Sequence, residues 1–330
     1  MTTVKAHMTG KLQTRTVTED EADIRLDRWF KRHFPALSHG QLQKLLRTGQ
    51  VRVDGKRADT STRLKAEQSI RVPPQVEAPP KHVTEKKSAR DESRVKKLII
   101  FEDDDVMVIN KPAGLAAQGG TGLKENLDDL VKSLATEKHG KPKLVHRLDR
   151  DTSGVMIMAR TAYAATKLTA AFRERATQKI YWALTVGIPK PEDGKINAPL
   201  IKRGELMAVD EEDDEDAKSA ITLYQTVESA KKLAAFVAMW PITGRTHQLR
   251  VHMAYIGTPL LGDRLYGGDK AIGVAEGDIG RGLHLHARRL IIPHPRRGMI
   301  DVVAPLGPDM QKTWKWFGFE HNAKTDFTDA

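Results

Sequence analysis

The sequence predicts an α+β protein with a small basic domain followed by a larger mixed domain. Three observations lead to this prediction. Apolar runs typical of strands do not alternate strictly with helices, a proline-rich charged stretch separates two patterns, and 330 residues suit about two domains. The expected order is a disordered N-terminus (1–21), a basic domain (22–72), a flexible linker (73–97), a large domain (98–318) and a C-terminal tail (319–330).

Charge and composition narrow the class of protein. Lys and Arg (54) outnumber Asp and Glu (43), which favours a polyanionic partner, since contacts to phosphates release counterions; plain solubility is the alternative reading. The absence of cysteine excludes disulfides and thiolate metal sites. No apolar run approaches a membrane span and the N-terminus lacks a signal-peptide core, so we expect a cytoplasmic monomer without a membrane partner.

The basic domain begins with two predicted helices. Leu26, Trp29 and Phe30 are spaced as on one face of a short helix that Pro35 ends. Ser38, with a glutamine three residues later, predicts a capping box at the start of the second helix.

Basic residues surround the end of the second helix. Val51 and Val53 alternate with an arginine before an Asp-Gly turn, which predicts a small hairpin, and residues 22–72 contain twelve Lys or Arg against five Asp or Glu. The pattern favours an RNA-docking module, although a basic helical hairpin used only for packing is the alternative. The candidate RNA contacts are Arg28, Lys44, Arg47, Arg52, Lys56 and Arg57.

The larger domain begins with a predicted hairpin, formed by the apolar runs 98–101 and 106–109 around an acidic turn. Further strands are predicted at 155–158, 181–186, 221–224, 236–239 and 290–292. Helices are predicted at 127–136, 162–175 and 246–256, and the acidic run 210–216 is expected to be a solvated loop.

The segment L-V-H-R-L-D-R-D-T-S-G (144–154) concentrates charge before an apolar strand. Asp149 lies between Arg147 and Arg150, and nearby arginines favour the ionised form of a carboxylate. This suits a nucleophile or a charge stabiliser better than a proton donor. A magnesium site at Asp149 and Asp151 is the alternative, but the flanking arginines oppose a bound cation.

Two later segments carry further candidates. In K-I-Y-W-A-L, Tyr181 opens a strand and is either a core residue or a group that stacks on a base and relays a proton. In P-I-T-G-R-T-H-Q-L-R-V-H, Arg245 precedes a helix and either binds phosphate or pairs with a buried acid. His247 and His252 are five residues apart, and the two histidines of H-L-H (284–286) alternate on a strand, so we expect structural histidines and no metal.

The order of these motifs resembles the pseudouridine synthases that act on large-subunit ribosomal RNA. The resemblance covers about 97–310 and rests on V-I-N-K-P-A-G-L, H-R-L-D-R-D-T-S-G, K-I-Y-W-A-L, T-G-R-T-H-Q-L-R-V-H, L-L-G-D-R-L-Y-G-G and L-H-L-H-A-R-R-L. The stretches R-L-D-R-W-F and S-H-G-Q-L-Q-K-L-L-R-T-G-Q-V-R-V-D-G-K-R resemble the S-four RNA-binding module, the usual N-terminal companion in this branch. The implied fold is a mixed, largely antiparallel central sheet flanked by helices and loops.

The resemblance implies a role for each residue and a reaction without metal or organic cofactor. Asp149 would act as nucleophile toward the sugar or initiate glycal formation, a choice that the sequence leaves open. Tyr181 would pack on the target base, Arg245 would pair with Asp149, and Arg147 would fill the space left by a flipped nucleotide. The remaining implied RNA contacts are Arg150, His247 and Arg250.

Three readings therefore compete at this point: an enzyme acting on 23S ribosomal RNA, a non-catalytic ribosomal RNA-binding factor, and a magnesium phosphohydrolase. The set of Asp149, Tyr181 and Arg245 favours the enzyme. The motif around 108–122 resembles one target-site subfamily, and the motif at 249–268 is about equally close to another. Gln118 stands where both tend to have histidine, which leaves the modified uridines open but does not touch the chemistry.

Overall fold

The computed structural model describes residues 13–34, 37–73, 84–120, 123, 125–136, 140–271, 279–325 and 327. The chain divides into two units, Met1–Thr84 and Glu85–Ala330. No helix within these described ranges is long and apolar enough to cross a membrane.

The N-terminal unit combines two helices with a three-stranded sheet. The strands lie in the order β1-β3-β2, and both pairings are antiparallel. The elements are β1 (Gln13–Thr16), α1 (Leu26–His33), α2 (His39–Arg47), β2 (Arg52–Val53) and β3 (Ser69–Val72), with a short 3-10 helix at Glu19–Glu21.

The predicted helices of this unit are confirmed. Leu26, Trp29 and Phe30 are buried on one face of α1, and the Ser38 capping box is formed, with the Gln41 N–H donating to the Ser38 hydroxyl. The predicted terminator Pro35 lies outside the described residues. The Asp-Gly turn gives a single bridge, between Val53 and Lys56, whereas the longer partner of β2 is β3.

Two predicted boundaries are wrong. Residues 13–21 are not disordered, because β1 pairs with β3 and places that segment in the sheet; residues 1–12 lie outside the described part. The linker predicted at 73–97 contains α3 (Thr84–Lys96), a helix that begins beyond its prolines. Val95 of this helix is buried in a core cluster of the second unit, so the helix is part of that unit's packing.

The second unit contains a ten-stranded mixed sheet. Its main path runs β4-β5-β7-β14-β8-β13-β12-β9, with β6 on β7 and β15 on β14, and β10 and β11 form a separate hairpin. The strands are β4 (Ile99–Glu102), β5 (Val106–Lys111), β6 (Lys143–Leu144), β7 (Ser153–Ala159), β8 (Gln178–Val186), β9 (Asp193–Asn197), β10 (Leu200–Arg203), β11 (Leu206–Val209), β12 (Ile221–Ala230), β13 (Ala234–Pro241), β14 (Leu285–Pro293) and β15 (Met299–Val303). The hairpin and all five further strands that the sequence predicts are present.

The helices of this unit flank the sheet. The stretch predicted as one helix at 127–136 begins as a single α-turn with an Asn126 cap and continues as the 3-10 helix Val131–Leu134. The other predicted helices are present over slightly shorter ranges. The helices are α4 (Leu127–Leu130), α5 (Ala162–Arg173), α6 (Gln248–Tyr255) and α7 (Pro308–Phe317).

Residues 319–325 contribute to the core, which corrects the tail predicted from residue 319 onward. Phe319 is buried in a cluster with Trp182 and Trp314, and Thr325 accepts a hydrogen bond of 2.9 Å from the Trp182 indole. The second unit therefore extends beyond residue 318, because its largest aromatic side chains need these residues as a cover.

One register of the sheet places the predicted site. Strand β7 runs parallel to β14, with Gly154 opposite Ala287, and Ala287 is in turn opposite Tyr181 on the antiparallel strand β8. Adjacent strands lie about 4.8 Å apart. The end of the charged segment and Tyr181 are therefore held two strands apart on a rigid part of the sheet.

Candidate active site

The charged segment forms a loop in which successive side chains take different directions. Leu148 is 6% exposed and packs in the core beneath the loop, with Met156 among its neighbours. Arg147 is exposed and makes no hydrogen bond or ion pair with any residue that the structure describes. Asp149 has a side chain that is 23% exposed and lines a cavity. One buried leucine thus fixes where its two polar neighbours project.

The cavity has a volume of about 460 Å³ and brings three segments together. Asp149, Tyr181 and Arg245, predicted from separate motifs, all line it. Lys179 and Thr152 line it as well. The structure therefore assembles the predicted catalytic set in one place, with two donors that the sequence did not single out.

The Thr-Ser-Gly end of the loop is fixed by contacts to β14. A Cβ on Gly154 would lie 2.2 Å from the backbone oxygen of Ala287, and Gly154 has a φ of +113°, so only glycine fits. The Ser153 hydroxyl and His286 Nδ1 are 2.8 Å apart in the buried interior. The Thr152 hydroxyl is buried and has no hydrogen-bond partner among the described residues, although Thr152 lines the cavity.

Lys111 anchors the loop from below. Its side chain is fully buried at the end of β5, and its ammonium donates to three backbone carbonyls, those of Pro112 (3.0 Å), Leu115 (2.8 Å) and Arg150 (3.0 Å). Burial lowers the pKa of Lys111 to about 8, while the nearby charges of Asp151 and Asp149 raise it. The N-K-P motif thus has a physical role in holding the loop, which the sequence alone did not reveal.

Tyr181 presents a neutral phenol to the cavity. Burial, and then the charge of Asp149, raise the pKa of Tyr181. The phenol therefore stays protonated at neutral pH. It can pack against a base and donate a hydrogen bond, but it cannot serve as a phenolate base.

Arg245 does not form the predicted ion pair with Asp149. Its Nε donates to the backbone oxygen of Ser219 at 3.0 Å, and no carboxylate in the described part of the chain lies within ion-pairing distance. The turn before it is shaped by Gln248, which is 3% exposed and accepts from the Thr243 hydroxyl (2.7 Å) and from the Arg245 N–H (3.0 Å). This side-chain hub was missed, because an amide in a helical pattern gives no sign of its partners.

The group within ion-pairing distance of Asp149, among the residues described, is His247. Its Nε2 lies 3.9 Å from Asp149 Oδ2, and both side chains are 23% exposed. Burial is the largest influence on His247 and lowers its pKa, although Asp149 opposes it. A neutral imidazole, rather than a guanidinium, therefore faces the carboxylate.

Arg250 is not placed as an RNA contact. It is 7% exposed and makes a bidentate ion pair with buried Asp263, at 2.8 and 2.6 Å. Arg150 is exposed, but its guanidinium is bonded to Asp151 at 3.0 Å. Lys179 differs from both, because burial lowers its pKa and it has no hydrogen-bond acceptor among the described residues. Lys179 is therefore a basic group at this cavity, without an acceptor among the described residues, that sequence reasoning overlooked.

Three histidines have the structural role that was predicted. His252 bonds Thr222 and the backbone oxygen of Ala198, His284 bonds Thr313, and His286 bonds Ser153 and the backbone oxygen of Ala304. All three are almost completely buried.

The predicted RNA contacts of the N-terminal unit lie mostly on its surface. Arg52 is half-buried and bonds the backbone oxygens of Gly49 (3.2 Å) and Gly55 (2.9 Å). The others are exposed, and no ion pair joins them to a described acidic residue. The exposed residues are Arg28, Lys44, Arg47, Lys56 and Arg57. A basic turn, here Lys44, Arg47, Arg52, Lys56 and Arg57, is thus left open to a polyanion.

Comparisons with known proteins agree with this picture. The sequence profile described as RNA pseudouridylate synthase matches residues 105–255, and that of the S4 domain matches residues 24–70. Ribosomal large subunit pseudouridine synthase C of Vibrio parahaemolyticus is 33% identical over 307 residues, covering 92% of this chain and 95% of that protein. The protein of the same name from Rickettsia bellii is 34% identical and covers 81% and 89%.

Solved structures give the same result for the larger unit. Human RNA Pseudouridylate Synthase Domain Containing 4 has a TM-score of 0.59 and 29% identity, covering 71% of this chain and 98% of that one. Human RNA Pseudouridylate Synthase Domain Containing 1 has a TM-score of 0.53 and 26% identity, covering 64% and 85%. The predicted α+β fold is confirmed, and the chain belongs to the RNA pseudouridylate synthase family, a family of isomerases, with an S4 domain near its N-terminus.

Proposed function

We propose that this protein converts specific uridines of large-subunit (23S) ribosomal RNA to pseudouridine, with Asp149 as nucleophile and without a cofactor. The observation that carries the proposal is the carboxylate of Asp149, which shares a cavity with a neutral Tyr181 phenol and an unpaired Lys179. The names of the bacterial relatives support the substrate, and they correspond to the subfamily that the motif around 108–122 resembles.

In the proposed reaction, an Asp149 oxygen forms a bond to ribose C1′ while the bond from C1′ to uracil N1 breaks. The electron pair leaves with uracil, which turns in the cavity. Uracil C5 then attacks C1′ and expels the carboxylate, N1 gains a proton, and the proton on C5 is lost. Tyr181, which stays protonated, packs on the base and can pass a proton through its oxygen.

The target nucleotide must leave its helix to reach Asp149, at a cost of a few kcal/mol. Arg147 is suited to offset part of this cost, because it is exposed beside Asp149 and its planar guanidinium can stack in the vacated space. Lys179 offers a donor to the flipped nucleotide, and Arg150 and the basic turn offer charge to RNA phosphates. We further propose a cytoplasmic monomer that meets ribosomal RNA or its precursor particle.

The test is to map pseudouridines in ribosomal RNA from a strain that lacks this protein. Wild type should restore the missing sites. Asp149→Asn should not, because it removes the nucleophile, and its rate on a 23S transcript should fall at least about 10³-fold with RNA binding retained. Asp151→Asn is the matched control, since among the described residues its carboxylate pairs with exposed Arg150 alone, and its loss should leave most of the activity.

The outcomes separate the competing functions. Full product from Asp149→Asn would contradict the proposed mechanism. RNA binding with no site missing in the deletion strain would favour a binding factor. A phosphate-releasing activity of the protein that EDTA abolishes would favour the magnesium phosphohydrolase.

A further inference from the structure

We propose that His247 and Tyr266 form a positioning pair that orients the Asp149 carboxylate, with His247 held as the neutral tautomer that carries its proton on Nε2. The inference rests on the proposed function, because Asp149 is taken as the reacting group. It assigns to His247 a role other than the RNA contact predicted from the sequence, and it gives a role to a tyrosine that was not singled out.

The distances connect the three side chains in a row. His247 Nε2 is 3.9 Å from Asp149 Oδ2, and His247 Nδ1 is 2.7 Å from the Tyr266 hydroxyl. The two rings meet edge to face, with centroids 5.5 Å apart. A 3.9 Å separation is too long for a hydrogen bond, but catalytic contacts of this kind often shorten when substrate binds.

The hydrogen bonds of Tyr266 decide the tautomer. Its oxygen accepts from the backbone N–H of Met207 at 3.2 Å, and its hydroxyl proton has one acceptor among the described residues, His247 Nδ1. Burial raises the pKa of Tyr266, so this proton is retained. If Nδ1 carried the imidazole proton, the phenol proton would have no acceptor among the residues that the structure describes. His247 therefore carries its proton on Nε2 and directs it toward Asp149.

Tyr266 is itself held rigidly. The guanidinium of Arg250 lies over its ring at 5.0 Å, and Arg250 is locked by its bidentate pair with Asp263. Asp263 also accepts from the backbone N–H of Tyr266 at 3.2 Å. The buried ion pair thus fixes the ring and the backbone of the residue that fixes the imidazole.

The backbone of His247 indicates that its side chain matters. His247 is the N-cap of α6 and has a φ of +54°, a left-handed conformation that costs about 1 kcal/mol for a residue with a side chain. Asparagine or glycine would adopt it more easily. The strained position places an imidazole where a neutral donor can hold one oxygen of Asp149 and leave the other free.

Two substitutions of His247 separate its side-chain role from its backbone. In His247→Gln the amide nitrogen can take the place of Nε2, whereas in His247→Asn it reaches only the place of Nδ1. Asparagine suits the left-handed backbone better. We expect the single-turnover rate on a 23S transcript to fall about 100-fold in His247→Asn, and to stay at least about tenfold higher in His247→Gln.

Tyr266→Phe tests the tautomer. It should lower the single-turnover rate about tenfold, the equivalent of one lost hydrogen bond, with the Kd for RNA within about twofold of wild type. Tyr224→Phe is the matched control, because its hydroxyl also makes a partly buried hydrogen bond, to the backbone oxygen of Pro191 at 3.1 Å, away from Asp149. It should leave the rate unchanged.

Nitrogen NMR of wild type provides a readout that needs no folded variant, and we expect the His247 tautomer with the proton on Nε2. The opposite tautomer would overturn the inference. So would equal rates for Tyr266→Phe and Tyr224→Phe, a change in Kd alone, or His247→Asn at least as active as His247→Gln. A wild type that forms no pseudouridine would instead overturn the proposed function.

Discussion

The loop at 146–154 and the basic turn of the N-terminal unit both concentrate charge, but they hold it differently. In the loop, Leu148 is buried, Lys111 bonds three carbonyls, and Gly154 lies against β14, so the backbone that carries the charged side chains is fixed. In the basic turn most charges are exposed side chains on a short helix and a hairpin. Chemistry at one atom requires a buried framework, whereas binding a polyanion requires only charge and access.

The largest effect on the loop is expected from a substitution of Gly154. Gly154→Ala should destabilise the second unit by at least about 3 kcal/mol and abolish activity, because its Cβ would lie 2.2 Å from a backbone oxygen of β14. Urea unfolding measures the change. Gly298→Ala has a similar positive φ with open space around its Cβ, and it should cost only about 1 kcal/mol. Equal losses in the two variants would show that the close approach to β14 is not what holds the loop.

The stability of the residues that support the loop should also depend on pH, because His286 is buried beside Ser153. Burial lowers the pKa of His286 to about 4, although its hydrogen bond to Ala304 opposes the shift. In the unfolded chain His286 therefore binds a proton near pH 6.5, whereas in the folded protein it binds this proton only near pH 4. Stability from this histidine is full above pH 6.5 and is lost as the pH falls, by about 3 kcal/mol in all.

Urea unfolding at pH 7 and at pH 4.5 measures this loss in wild type and in His286→Gln, which cannot titrate. The difference in the free energy of unfolding between the two proteins should shrink at the lower pH. A difference that stays constant would show that His286 titrates normally in the folded state.

The smallest effects are expected in the basic turn. Lys44→Gln and Arg47→Gln should each weaken binding of 23S RNA a few-fold and reduce the slope of log Kd against log salt concentration by about 0.7–0.9. The rate of pseudouridine formation at saturating RNA should stay unchanged. Arg63→Gln is the control, because that exposed arginine already pairs with Asp23 at 3.0 Å. A loss of rate at saturating RNA would show that these residues do more than bind.

The sequence predicted features that depend on local spacing or on one distinctive motif. The Ser38 cap, the hairpin at 98–109 and the grouping of Asp149 with Tyr181 were within its reach. It did not predict β9–β11, which are short and partly exposed, or α7, despite a proline at its start and a glycine just after its end. Charged residues interrupt the hydrophobic patterns of β9, β10 and α7, and β11 is an apolar run of only four residues, so tertiary packing decides their structure.

The sequence also could not predict the direction in which long side chains point. Arg245 was expected to pair with Asp149, but the carbonyl that it bonds belongs to Ser219, 26 residues earlier in the chain. His247 faces Asp149 instead, because its backbone turns left-handed at the start of α6. Spacing identifies which segments carry chemistry, but contacts between distant segments decide which atom faces which.

The anchoring of the loop by Lys111 has a consequence for how this site can change over time. Its ammonium bonds main-chain oxygens of Pro112, Leu115 and Arg150 and therefore reads none of their side chains. Substitutions at the exposed residue Arg150 can therefore alter the surface beside Asp149 while the anchor persists. A lysine that bonds backbone therefore tolerates substitution at position 150 without releasing the loop that carries Asp149.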